Sequence, residues 1–197
     1  KIHFLYYILI KVNPARYKKD FDKITEELRS FAYSYLEKYS PSKQQLKTYL
    51  FKKILTRYKS YLDKKIIFTM IDEIINSLEK KSLVSDKYYS ESRSKTFLKR
   101  GYSLNKIRYA LIKKGIEEKY INSSILKIKE DNPDSDFFSA IKLCKRKRIG
   151  AVREEGNRKL FYKKDMSIFA RSGFSFEISK SVLNLSKNEF LKLSKLV

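Results

Sequence analysis

Apolar residues recur along this chain at the spacing of one helical face, segment after segment. Leu28, Phe31, Ala32, Tyr35, Leu36 and Tyr39 fall at i, i+3, i+4, i+7, i+8 and i+11, which predicts a helix over 24–39 that stops before Pro41. Ser42 stands three residues before Gln45, the spacing of a capping box, and opens a helix carrying Leu46, Tyr49, Leu50, Ile54 and Tyr58. A third helix over 63–80 has the strongest period, in Ile67, Met70, Ile71, Ile74, Ile75 and Leu78. After a break at Leu83-Val84-Ser85, with Ser85 or Asp86 as N-cap, helix 86–99 ends at Gly101. Ser103 caps the next helix, which turns Leu104, Ile107 and Leu111 inward and ends at Gly115. A helix over 117–129 follows, with Ile121, Ile125 and Ile128 inward.

Pro133, just ahead of a cap, opens helix 135–149, which buries Phe137, Ile141 and Cys144 and ends at Gly150. Helix 158–171 carries Tyr162, Met166 and Phe169 and ends at Gly173. Helix 176–184 presents Ile178, Val182 and Leu185, and 186–197 is a weaker amphipathic tail. Gly101, Gly115 and Gly173 each follow a basic or polar residue and precede an apolar one. That is the composition of a helix end, where glycine takes the left-handed conformation and the next residue folds back onto the last turn. Gly115 and Gly173 give the better repeat match, with a one-residue slip. The chain therefore reads as all-α: tandem three-helix repeats, three of them with about nine helices, forming an elongated, curved array. The expected divisions are a lead segment 1–23, repeats over 24–82, 83–130 and 131–185, and a C-terminal tail 186–197.

Charge narrows the function. Forty-five Lys and Arg against 22 Asp and Glu leave a formal net charge of +23, with hydrophobic content of 42%. Enough apolar residue is present for a core, so this is not a disordered tail. The excess of base over acid implies a polyanion: DNA, RNA, a nucleoprotein or an anionic membrane. The apolar run Ile2–Ile10, which contains His3 and lies between Lys1 and Lys11, is too short to span a bilayer, and no small-residue cleavage site follows it. No stable membrane association is expected. A single cysteine, Cys144, allows no intramolecular disulfide and fits a reducing cytoplasm.

Two basic clusters are candidate contacts. The denser is Lys142, Lys145, Arg146, Lys147 and Arg148, then Arg153, Arg158 and Lys159; Arg171 is a further candidate contact. Lys142, Lys145 and Arg146 project near one another on a helix, away from the Ile141–Cys144 stripe, while Arg148 and Arg153 flank the turn at Gly150. Such a face can neutralise phosphates, with binding that weakens steeply in salt. The second cluster is Arg93, Lys95, Lys99, Arg100, Lys106, Arg108, Lys113 and Lys114. Arg93 and Arg100, seven apart, share a face, and Arg suits phosphate and carboxylate bidentately. The bland alternative for both is a solvated helix surface. Tyr33, Tyr35, Tyr49, Tyr58, Tyr88, Tyr89, Tyr102 and Tyr109 fall mostly on or beside core stripes, which favours packing with a polar tip over base stacking. The helices flanking Gly101 and Gly173 each resemble a helix-turn-helix, but three-helix repeats produce the same look.

Catalytic chemistry finds little support. One His and one Cys cannot make a usual zinc site. Cys144 lies on an inward stripe. Gly150–Gly156 lacks the Gly-Lys-Ser/Thr of a P-loop, and Glu154–Glu155 and Asp134–Asp136 read as loop and cap charges. No enzyme activity, catalytic residue, cofactor, metal or small-molecule substrate is expected.

Several segments carry a resemblance. Tyr35–Lys43 and Gln45-Leu46-Lys47 resemble the first repeat of the RecX family of recombination regulators. Leu83–Tyr89 is similar to that family's junction between repeats, with Asp86 at its usual acid. Lys99–Arg108 with Leu111 and Gly115-Ile116 resembles the second repeat; Cys144–Gly150, Arg158 and Ala170–Ser175 resemble the third. The likeness spans about 24–185, in order. The departures are the apolar lead 1–12, a longer spacer around 56–66, and Ser85 where an acid is common. The resemblance implies tandem three-helix repeats without a catalytic site. It also implies a partner: the RecA recombinase filament, whose recombinase, ATPase and coprotease activities such proteins suppress, some also binding DNA. The expected partners are therefore the RecA filament and single- and double-stranded DNA, for a monomer in the cytoplasm. The alternative is a stand-alone basic helical DNA- or RNA-binding protein.

Overall fold

The structure, a computed structural model, describes residues 14–58 and 63–197; the lead segment 1–12 with His3, and the middle of the 56–66 spacer, lie outside the described residues. Every described element is helical. The chain divides into two compact units, with the boundary after Ser85.

The first unit holds α1 (Pro14–Leu36), α2 (Lys43–Arg57) and α3 (Lys64–Lys80). α1 begins at Pro14 rather than near 24 and ends at Leu36 rather than 39. Proline suits a first helical position, since its φ is preset and its missing N–H has no partner there. The stretch 14–23 has only Tyr17 and Phe21 as large apolar residues, so periodicity alone does not detect it. The capping box at α2 forms as expected: Ser42 Oγ accepts the Gln45 N–H at 3.2 Å, and Gln45 Oε1 accepts the Ser42 N–H at 3.1 Å. The core of this unit joins Leu28 and Ala32 to Leu46, Leu50 and Ile54, and to Ile67, Ile71 and Ile75.

The second unit holds α4 (Asp86–Lys99), α5 (Leu104–Ile112), α6 (Glu118–Asp131), α7 (Ser135–Lys147), α8 (Glu155–Arg171), α9 (Phe176–Leu183) and α10 (Lys187–Ser194), with a 3-10 turn at Gly150–Val152. It carries two cores. Leu104, Ile107, Leu111, Ile121 and Ile125 make that of α4–α6. α4 joins it partly through hydroxyls: Ser90 and Ser124 Oγ lie 2.8 Å apart, both buried. Ile141, Cys144, Phe169, Val182 and Phe190 make that of α7–α10. The tail thus supplies a tenth helix among the described residues. Ser186 and Glu189 form its capping box, and Phe190 reaches the third core.

Several helices stop by one device. The residue after the cap turns left-handed, and the next N–H bonds back to a carbonyl five residues earlier. The bonds are Leu83 to Leu78 (3.0 Å), Tyr102 to Phe97 (3.1 Å), and Ile116 to Leu111, Ile149 to Cys144 and Phe174 to Phe169 (3.2 Å each). Two are also aromatic contacts: Phe97 stacks on Tyr102 at 5.2 Å, and Phe169 meets Phe174 edge-on at 5.5 Å. Glycine supplies the left-handed residue at 101, 115 and 173. Helix 135–149 is corrected: α7 ends at Lys147, and Arg148 is left-handed at φ 53°. The chain turns left-handed there, ahead of buried Ile149, and turns so again at Gly150.

Candidate polyanion-binding surface

Within the second unit, the α4–α6 and α7–α10 repeats meet through two exchanged corners. Gly101, at φ 73°, lies against α7; a Cβ there would sit 2.8 Å from Lys142 Cβ and 3.3 Å from the Ser139 carbonyl oxygen. Gly173, at φ 79°, lies against the start of α5; a Cβ there would sit 2.8 Å from Ser103 Oγ. Ser103 Oγ accepts its own helix's Lys106 N–H at 3.1 Å and donates to the Ser172 carbonyl at 2.7 Å. The Asn105 amide donates to the Gly173 carbonyl at 3.2 Å. Asp136, at the start of α7, accepts the Leu104 N–H at 2.7 Å. Burial holds the Asp136 carboxyl above its ordinary value, while this bond pulls it back. The N–H groups that α5 leaves unsatisfied at its start are therefore partly satisfied by another repeat.

That docking merges the two basic clusters. The Lys142 stem packs on Gly101, and an Arg146 N–H donates to the Arg100 carbonyl at the end of α4. Lys99 and Arg100 are thereby brought beside Lys142 and Arg146, with Lys145 next to them on α7. Lys99, Arg100, Lys145, Arg146, Lys147 and Arg148 are exposed, and Lys142 is half-buried. None of these seven forms an ion pair among the described residues. The sequence explains why: no Asp or Glu occurs over 92–116 or over 137–153. Both α4 and α7 end at this place, and the carbonyl ends of helices tolerate cations.

Other candidate residues lie elsewhere or are engaged. Arg153 is turned inward. Its guanidinium donates twice to Asp165, at 2.8 and 2.7 Å, and covers the Phe161 ring at 4.6 Å. Asp165 is 1% exposed and also accepts the Gly150 N–H at 3.0 Å. Bonding to Asp165 raises the Arg153 pKa. Arg158 closes the end of α9, donating to the Leu183 and Leu185 carbonyls at 3.1 and 2.6 Å, and pairs with Glu155 at 3.3 Å. These two arginines make their contacts within the third repeat, and Arg153, beside the turn at Gly150, shares the Asp165 carboxylate with the Gly150 N–H. Arg108 is ion-paired with Glu118, and Arg93 lies over the Tyr89 ring at 5.5 Å. Lys113, Lys114, Lys159 and Arg171 are exposed.

Asp165 is the residue that sequence reasoning passed over. Its signal was there: 162, 165, 166 and 169 form one inward stripe, and an acid on such a stripe needs a partner. A cleft of about 740 Å³ opens beside it, lined by Gly150, Gly156, Lys159, Tyr162, Leu183 and Asn184. Cys144 is fully buried, and burial pushes its thiol up to about 12, with Asp165 adding to the rise. It is a core residue at neutral pH. The tyrosines divide. Tyr35 stacks on Tyr49 at 4.1 Å, Tyr58 donates to Glu27 at 3.1 Å, and Tyr89 is buried, whereas Tyr33, Tyr88 and Tyr109 are exposed. Among the described residues no helix is long and apolar enough to cross a membrane, and no His, Cys, Asp and Glu cluster could hold a metal ion.

No family model matches the chain. It is similar to the regulatory protein RecX of Myxococcus xanthus, 24% identical over 159 residues that cover 80% of this chain and 84% of that one. It is also similar to the regulatory protein RecX of Clostridium perfringens, 28% identical over 123 residues in strain SM101, covering 62% of this chain and 56% of the relative. The match thus spans just over half the length of the clostridial protein. Two crystal structures share the fold. One is of a regulatory protein RecX, with a TM-score of 0.60 and 19% identity over 82% of this chain and 72% of that one. The other is of RecX from Lactobacillus salivarius, with a TM-score of 0.58 and 18% identity over 89% and 99%. Its helical repeats share the fold of the two RecX crystal structures, and in sequence the chain is similar to the RecX proteins of Myxococcus xanthus and Clostridium perfringens.

Proposed function

We propose that this protein binds the RecA–DNA nucleoprotein filament and lowers its recombinase, ATPase and coprotease activities. The observation that carries the reading is likeness to RecX proteins in a chain whose second unit gathers seven cations without acid partners. Helical repeats suit the task. Several weak contacts spread along a filament add through linkage, and contacts that bridge successive protomers oppose the movements ATP turnover requires. The protein acts by binding, as a monomer in the cytoplasm, without a cofactor. DNA, single- or double-stranded, meets its cations. The test is RecA's DNA-dependent ATP hydrolysis with added protein. Hydrolysis should fall at stoichiometric ratios in low salt and recover as salt rises. Unchanged hydrolysis under those conditions overturns the reading.

A second reading, a stand-alone DNA- or RNA-binding protein, is favoured by one observation: two long acid-free stretches meet on one surface. Tight, salt-sensitive binding to bare nucleic acid, with RecA unaffected, would select it.

A further inference from the structure

The geometry points to a peptide-binding groove on the first unit. It is a shallow aromatic channel between α1 and α2 that takes an acidic segment of a partner protein. One apolar side chain of that segment sits between Phe31 and Tyr49, and its carboxylates meet Lys52 and Lys53. The site stands on the first unit alone and does not require the regulatory reading above.

The groove begins with the composition of α2. Residues 43–57 contain five cations and no Asp or Glu. Three of the five find acids on neighbouring helices: Lys43 and Lys47 on α3, and Arg57 on α1. Lys52 and Lys53 are exposed and make no ion pair among the described residues. They border a hollow of about 700 Å³ whose lining is completed by Phe31, Tyr49, Thr56 and Arg57. The Lys53 ammonium lies 6.0 Å from the centre of the Phe31 ring and 5.7 Å from that of Tyr49, so one cation serves both rings. The aromatic row runs on. Tyr35 stacks on Tyr49 at 4.1 Å, and exposed Tyr39 lies 4.9 Å from Tyr35.

Rings and cations together favour a protein segment. Aromatic side chains are enriched where proteins meet, and charge belongs at the rim of such contacts. An apolar side chain gains by leaving water against Phe31 and Tyr49. A carboxylate beside it meets an ammonium that has no acid of its own. Charge alone would hold little, because exposed ion pairs are weak, so the anchor and the acids are needed together. Nucleic acid fits less well. Tyr35 already covers one face of Tyr49, where a base would stack. Glu27, paired with Arg57 and accepting from Tyr58 at 3.1 Å, also places a carboxylate beside one end of the groove, against a continuous phosphate backbone.

The test is fluorescence anisotropy of a short fluorescein-labelled synthetic peptide, Asp and Glu around a single Phe, titrated with the full chain. One comparison peptide carries Ser in place of Phe, and another carries amides in place of the acids. The parent protein should bind the first peptide saturably and each comparison peptide at least about 10-fold more weakly. Lys52→Glu combined with Lys53→Glu should also bind at least about 10-fold more weakly, through like-charge repulsion. Lys80→Glu with Lys81→Glu makes the same change of charge near the other end of α2, where Lys43 meets Glu79. That end is about 15 Å away along the helix, beyond the screening length, so this control should stay within about 3-fold. Thr56→Tyr fills the groove without altering charge and should weaken binding as well. Circular dichroism checks that each variant stays helical, and the charge pair and the filled groove each decide the site if the other fails to fold. No saturable binding by the parent, equal binding of the Phe and Ser peptides, or equal losses in the groove and control variants would overturn the proposal. Displacement of the peptide by oligo-dT would give the groove to nucleic acid, and self-association abolished by Thr56→Tyr would give it to a second copy of the chain; either result overturns the peptide assignment.

Discussion

The first helix group packs three helices around its core and the third packs four, both with cations at their seams, yet they use charge in opposite ways. In the first, the ion pairs lie around a core of aliphatic side chains. Lys43 meets Glu79 at 3.0 Å, Lys47 meets Asp72 at 2.6 Å, and Arg57 meets Glu27 at 3.4 Å. In the third, one ion pair is driven into the core. Asp165 binds Arg153 and the Gly150 N–H, fixing the 3-10 turn that follows α7. Exposed pairs are worth little, because water competes for both partners. A buried carboxylate is different: once it is inside, each partner it loses leaves a charge or a donor unsatisfied. The comparison also separates two uses of lysine. Where acids are supplied locally, as in α1–α3, cations bind neighbouring helices. Where acids are missing, as at the α4–α7 corner, they remain available to a ligand. Local acid supply, more than net charge, marks the candidate surface.

The sharpest way to break the contrast is Asp165→Ala. It strands the Arg153 guanidinium, only 20% exposed, and the buried Gly150 N–H. The expected cost is about 3–5 kcal/mol, read as a shift in the urea midpoint. A loss under about 1 kcal/mol would put this pair in the same class as the surface pairs of the first group.

The next effect tests the corner rather than the core. Gly173→Ala places a side chain at a left-handed position and drives its Cβ toward Ser103 Oγ and the Lys106 backbone nitrogen. Strain of about 1–2 kcal/mol comes from the backbone alone, and the clash adds to it. Thermal unfolding should shift down accordingly, and protection of the Lys106 amide in hydrogen exchange should fall. Unchanged protection would show that the two repeats do not depend on this contact.

These two positions also show what sequence reveals. The helices were legible because their apolar stripes are long and their caps are local: Ser42, Ser103 and Gly173 act on residues within five positions. The start of α1 was not, because its first turns lack a stripe. The end of α7 misled because Gly150 was the obvious stop, while the chain already turns left-handed at Arg148, ahead of buried Ile149, and turns so again at Gly150. The candidate surface was half legible. Each basic cluster shows in the sequence, but their union depends on contacts that span tens of residues, such as Asp136 to Leu104 and Arg146 to Arg100. The same distance hides which arginines are engaged. Nothing near Arg158 in sequence announces that it will close the end of α9.

Gly156 offers a smaller effect of opposite sign. It sits in the first turn of α8 without a left-handed φ, and nothing lies within 4 Å of where its Cβ would be. Alanine there should stabilise the third repeat by about 0.5–1 kcal/mol, since glycine loses more backbone freedom in a helix. A higher melting temperature with unchanged binding would mean the cleft does not need that opening. A higher melting temperature with weakened RecA inhibition would mean a partner approaches the backbone there.

The smallest effect completes the comparison. Lys47 bridges α2 to Asp72 of α3, but the Lys47 side chain is 29% exposed and that of Asp72 is 50% exposed. Its ammonium also lies 5.4 Å from the Phe68 ring, so truncation removes packing along with charge. A double-mutant cycle of Lys47→Ala and Asp72→Ala should give a coupling of only about 0.2–1 kcal/mol, fading in high salt. A coupling of several kcal/mol, persistent in salt, would mean the first group is held by charge as firmly as the third. The apolar contacts joining Leu46, Leu50, Ile71 and Ile75 would then not be its main support.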